Sequence, residues 1–152
     1  MRKFVYGAVV ILWMALIISF SSQPASSSNE LSSGISDKIV ATVERLVPGA
    51  ELDPRELNHA VRKNAHFFIY FVLGMLVLGT LTKIGVRGMR GMAITLLVCV
   101  LFAVSDEVHQ LFVMGRGAQV KDVFIDSAGV LLGIGLYKWI ERVRSNNKDR
   151  SK

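Results

Sequence analysis

Long apolar runs broken by short polar clusters set the pattern of this chain. The runs are Phe4–Phe20, Ala65–Leu81, Met92–Val104 continuing to about Val113, and Val123–Ile140. Each is close to the ~17–25 residues that a spanning helix needs. Backbone polar groups find no water in hydrocarbon, so such runs are expected to coil into helices. The pattern predicts an all-α fold, a four-helix transmembrane bundle forming one domain over residues 1–152. The expected spans are about 4–20, 64–82, 91–113 and 120–140, with 141–152 as a basic cytoplasmic tail.

The polar stretches between the runs carry start and stop signals. Ser21-Ser22-Gln23-Pro24 leads into a Ser-rich loop reaching Ser33. Ile39, Val40, Val43, Leu46 and Val47 recur at helical spacing until Pro48-Gly49, which predicts a short amphipathic outer helix. Asp53-Pro54-Arg55-Glu56 reads as a helix start, with Asp53 as N-cap, Pro54 at N1, Glu56 completing a capping box, and Leu52 and Leu57 as staple. The second helix is therefore expected to begin well before its apolar part, carrying His59, Arg62, Lys63 and His66 on its leading turns. Gly129 and Gly133 form a small-xxx-small pair suited to close helix packing. The first run exceeds the ~7–15 residues of a signal-peptide core. Gln23 also stands where cleavage after Ala25 wants a small residue, so an uncleaved helix is expected.

Charge orients the bundle. With the N-terminus inside, the inner segments hold Arg2, Lys3, Lys83, Arg87, Arg90 and six basic residues of the tail, against only Glu141 and Asp149. The remaining 7 basic residues stand with 10 acids on the other side. The positive-inside rule then places both termini in the cytoplasm. The net charge of +6 comes with no aromatic or groove-reading motif, so nucleic acid is not an expected partner. A solvated tail, or one resting on the anionic inner leaflet, explains the excess. Cys99, the single cysteine, lies mid-run and reads as a packing residue.

On this topology four polar clusters meet at one level. Ser21–Pro24 closes the first helix. Lys63, His66 and Tyr70 share one face near the start of the second. Asp106, His109 and Gln110 share a face at the end of the third, with Glu107 about 100° away. Asp122 and Asp126 open the fourth, one turn apart, after the tight Gly115-Arg116-Gly117 loop. Ionisable groups at membrane depth are costly and point to function. The plainer alternative is a clamp, in which Lys63 pairs with Asp122, and Arg116 with Glu107 or Asp106.

Ser22-Gln23-Pro24, Lys63-Asn64-Ala65-His66-Phe67 with Tyr70 and Leu73-Gly74, and Asp106-Glu107-Val108-His109-Gln110-Leu111-Phe112 followed by Gly115-Arg116, Asp122, Asp126 and Gly129 together resemble the VanZ-like family of integral membrane proteins. The resemblance runs from Ser22 to about Gly133. It departs from the family pattern before Gly115-Arg116, where many members carry a proline and this chain has Phe112-Val113-Met114. The resemblance implies a multi-pass protein of the cell membrane and a link to glycopeptide (teicoplanin) resistance, the phenotype of the family's namesake, but no reaction.

Three classes of function fit these residues. In an enzyme acting on a lipid-linked or cell-envelope substrate, His66 or His109 serves as general base, oriented by Asp106 or Asp126. Lys63 and Arg116 hold an anionic headgroup and Tyr70 donates to a developing oxyanion, with Gln23, Glu107, Gln110 and Asp122 completing the substrate contacts. A metal version gathers His66, His109, Asp106 and Asp126 around a divalent ion, although the spacing matches no known metal signature. The second class is a binding or helper protein for amphipathic envelope molecules, without turnover. Proton-coupled transport is the third, weakened by the absence of an inverted repeat. Membrane lipids or a lipid-linked envelope substrate are the expected partners; the sequence does not fix the oligomeric state.

Overall fold

In the computed structural model of the chain, residues 2–24, 33–35, 37–42, 45 and 53–150 are described. Four long helices carry the architecture: α1 (Arg2–Ser21), α2 (Pro54–Lys83), α3 (Gly88–Gln110) and α4 (Val120–Arg150). No strand occurs among the described residues. All four helices are long and apolar enough to cross a membrane, and the fold is the all-α four-helix bundle that the apolar runs predict. Residues 33–35, 37–42 and 45 are helical, at the place of the expected amphipathic helix. Val43, Leu46, Val47 and the Pro48-Gly49 stop lie outside the described residues, as does Leu52 of the expected staple.

The helix limits follow local chemistry. Pro54 opens α2 where its missing N–H costs nothing, and the Asp53 carbonyl accepts the first helical bond from Leu57 N–H at 3.1 Å. At the other end Gly85 takes a φ of +101°. Val86 N–H then reaches the Leu81 carbonyl at 2.9 Å and Gly85 N–H the Thr82 carbonyl at 3.2 Å, which is a Schellman termination. Only Ile84 to Arg87 separate α2 from α3, so the two run as antiparallel neighbours.

The third helix departs from expectation at both ends. It begins at Gly88 and stops at Gln110, three residues before the anticipated Val113. Leu111 to Met114 are apolar but wind into turns, with Phe112 N–H bonded to the His109 carbonyl and Val113 N–H to that of Gln110. Gly115, at a φ of +75°, then reverses the chain toward α4. Hydropathy could not separate these residues from the span because it reports solubility in lipid, not backbone conformation. The fourth helix continues past Ile140 to Arg150, so much of the basic tail is helical.

α2 sits at the centre and touches each of the other three helices, most extensively α4. Glycine makes that contact possible. A methyl group on Gly129 would strike the Phe67 carbonyl, one on Gly133 the Phe71 carbonyl, and one on Gly74 would come within 2.8 Å of the Val130 carbonyl. The two backbones therefore meet directly, the packing that small residues permit in a membrane where apolar burial gives little drive. The core joins Ile17 of α1, Tyr70, Leu73, Val77 and Leu78 of α2, Cys99 and Ala103 of α3, and Val130 and Ile134 of α4. Phe4, Ile11, Leu12, Leu101 and Leu132 point outward, as suits side chains solvated by lipid tails.

Candidate polar pocket at one end of the bundle

The end of α1, the start of α2, the end of α3 and the start of α4 come together, and their polar residues form two adjoining sets. The inner set is a buried hydrogen-bonded lock. Asp106 is fully buried, and its Oδ2 accepts from the Ser21 hydroxyl at 2.8 Å and more weakly from the Tyr70 hydroxyl at 3.4 Å. Gln110 Nε2 donates in turn to Ser21 Oγ at 3.3 Å. Three helices thus converge on one carboxyl group, and Trp13 Nε1 adds a bond from α1 to the Ile69 carbonyl at 3.0 Å.

Three further ties hold this end. The Ser22 hydroxyl lies 2.6 Å from the Ile18 carbonyl and 3.0 Å from His109 Nε2. Its single proton goes to the carbonyl, so the histidine nitrogen must be the donor. Glu107, also buried, accepts the Gln119 N–H at 2.8 Å and pins the end of the α3–α4 loop. Arg116 reaches across the same loop to donate to the Phe20 carbonyl at 3.3 Å.

The outer set lines a cavity of about 110 Å³ between α2, α4 and the α3–α4 loop. That is well above the ~10–15 Å³ one water needs. Its walls are Arg62, Lys63 and His66 of α2, Gln110 of α3, Gly115, Arg116, Gly117 and Gln119 of the loop, and Asp122, Ile125 and Asp126 of α4. Lys63 Nζ stands 3.1 Å from Asp122 Oδ1. His66 Nδ1 stands 3.9 Å from Asp126 Oδ1. Burial, followed by the nearby Arg62 charge, draws the Arg116 guanidinium below its ordinary pKa.

The sequence-derived candidates divide between these sets. Lys63, His66, Gln110, Arg116, Asp122 and Asp126 line the cavity. Tyr70 and Asp106 lie in the lock, His109 is bonded to Ser22, and Glu107 is bonded to the loop. Gln23 sits in the turn after α1, its N–H on the Phe20 carbonyl at 3.3 Å, and does not line the cavity. Of the two clamp pairings considered, Lys63–Asp122 forms, whereas Arg116 pairs with neither Glu107 nor Asp106. Among the described residues no group of three or more His, Cys, Asp or Glu, whether drawn from His66, His109, Asp106 and Asp126 or from others, is placed to hold a metal ion.

The sequence placed Ser21 in a polar cluster and Arg62 on the leading turns of α2 without assigning either a site role, and nothing in it singled out Gln119. Ser21 reads as part of a helix-end turn, and only the neighbouring helices reveal it as a buried donor. Arg62 was recognisable as a charge on the leading turns of α2, and its i, i+4 relation to His66 was the available signal. Gln119 had none, since its contact with Glu107 depends on how the loop folds back.

A family model described as VanZ/LLP1 matches residues 6–141, which includes every residue of both sets. Neither the curated proteins nor the solved structures give a match to this sequence.

Proposed function

The chain belongs to the VanZ/LLP1 family, and from that premise we propose that its pocket binds the phosphate-bearing headgroup of a lipid-linked or other amphipathic molecule of the cell envelope. The observation that carries this reading is the convergence of Arg62, Lys63 and Arg116 on one cavity at the end of a membrane-spanning bundle. Guanidinium and ammonium groups in a partly buried site suit phosphate, through charge-assisted hydrogen bonds. The loop favours a lipid source for that headgroup. Leu111, Phe112 and Met114 stand exposed, Phe112 at 83 %, immediately before the Gly115–Gly117 rim. An apolar crest beside a cationic pocket matches a molecule with a tail next to a charged head.

Binding accounts for the residues more economically than turnover. Among the described residues the cavity wall contains no serine, threonine or cysteine, and Ser21 and Ser22 are both engaged in structural bonds. The His66–Asp126 pair remains the place where acid–base chemistry on a bound headgroup would be centred. We place the pocket on the extracytoplasmic side of the cell membrane, because Lys83, Arg87, Arg90, Arg142 and Arg144 gather toward the opposite end. From there a link to glycopeptide susceptibility would run through sequestration of an amphipathic antibiotic or its lipid-linked target.

The test is to purify full-length protein in mild detergent and identify co-purifying lipids by mass spectrometry, beside Lys63→Ala and Arg116→Ala. Wild type is expected to retain phosphate-bearing lipids that both variants lose. Identical lipid profiles in all three would remove the basis for the reading.

A further inference from the structure

Setting aside Asp122, which has Lys63 beside it, two polar groups of the pocket are unmatched among the described residues, and they are of opposite kind. Asp126 is fully buried, and neither of its carboxyl oxygens has a hydrogen-bond partner. His66 Nδ1, at 3.9 Å, is too far away to be one. Arg116 supplies the other: its Nε is a buried donor without an acceptor, although a terminal nitrogen of the same side chain is bonded to Phe20. Both residues line the same cavity, yet no ion pair joins them. Asp122 Oδ1 also lacks a hydrogen bond but has Lys63 Nζ at 3.1 Å, whereas Asp126 and Arg116 have no counter-charge so close.

Buried polar groups are rarely left unmatched in a finished structure. A ligand that satisfies both here must offer an acceptor to Arg116 and N–H donors to Asp126. Resting on the phosphate-site reading above, we propose that the pocket recognises a zwitterionic headgroup, with the phosphate on Arg116 and a primary ammonium on Asp126. Three N–H donors of an ammonium suit the two free oxygens of Asp126. A quaternary ammonium has no N–H to give. A purely anionic headgroup would satisfy Arg116 but bring a second negative charge against Asp122 and Asp126. The ligand class is therefore a phosphoethanolamine-type group. It can arrive within a phospholipid or as the free phosphoethanolamine, and the exposed Leu111, Phe112 and Met114 beside the rim favour the phospholipid.

The experiment uses full-length protein in phosphatidylcholine nanodiscs doped with equal amounts of phosphatidylethanolamine and phosphatidylglycerol, with bound lipid read by native mass spectrometry. Wild type should retain phosphatidylethanolamine about tenfold over each of the other two, the scale of one hydrogen bond to a charged group. Asp126→Asn, close to isosteric, should lose that advantage over phosphatidylglycerol while still retaining phosphate lipids through Arg116. Free phosphoethanolamine should displace the bound lipid weakly, whereas displacement as strong as by the phospholipid would assign the site to the soluble form. Equal retention of phosphatidylethanolamine and phosphatidylglycerol by wild type would overturn the zwitterion and leave the phosphate reading standing. Retention of neither would overturn both. Should Asp126→Asn fail to fold, the wild-type comparison of the three lipids still decides.

Discussion

Asp106 shows how one residue can organise the end of a membrane bundle. Its buried carboxyl accepts from Ser21 of α1 and Tyr70 of α2 while standing on α3, so its removal strands donors on two other helices. Leaving a buried donor unsatisfied costs ~1–3 kcal/mol. Asp106→Ala is therefore expected to lower thermal stability in detergent clearly, whereas Asp106→Asn keeps an acceptor oxygen and should lose much less. Equal losses in the two variants would show that the carboxyl oxygen is not what holds Ser21 and Tyr70. Glu107, its chain neighbour, has a different task on a different face. Glu107→Ala should leave membrane insertion intact but free the loop at Gln119, raising protease cleavage between Gly115 and Lys121; unchanged cleavage would contradict the tie.

At the scale of elements the α2–α4 contact matters most, because these helices carry most of the cavity wall. Gly129 and Gly133 admit the backbone of α2 so closely that any side chain forces a shift. Gly133→Val should cost ~1–3 kcal/mol of stability as overpacking does and should widen the cavity. Gly135→Ala faces open space and should be near neutral; similar melting temperatures for both variants would argue against direct backbone contact. The sequence made this pair legible, since a small-xxx-small spacing in an apolar run has few other uses. It made the start of α2 legible through Asp53-Pro54 for the same reason. It did not disclose the end of α3, where Leu111 to Met114 are equally apolar in a helix or in a turn. It also could not assign Ser21 to the lock or Gln119 to Glu107, because helical periodicity fixes a face of one helix and not its register against another. The clusters were readable and the division of labour among them was not: His109 and Tyr70 share faces with Asp106 and His66, but their partners lie on other helices.

Considered whole, the molecule is asymmetric along its axis. Polar and acidic groups gather around a pocket at one end, and basic residues cluster toward the other. The proposed orientation is directly measurable, because native Cys99 is fully buried and contributes little background. In intact cells an impermeant thiol reagent should label Ala118→Cys and spare Ser145→Cys, while both react after permeabilisation. Labelling of Ser145→Cys alone would invert the bundle and put the pocket in the cytoplasm.

The claim on which the rest depends is that the cationic wall grips a phosphate-bearing headgroup. Titration of purified wild type with a fluorescent short-chain phosphatidylethanolamine tests it most directly, with Lys63→Ala, Arg116→Ala and, at the far end of the bundle, Arg142→Ala. The account predicts affinity falling about tenfold or more in each pocket variant, as for the loss of one charge-assisted contact, and no change in Arg142→Ala. Equal weakening in all three variants, or in none, would contradict it.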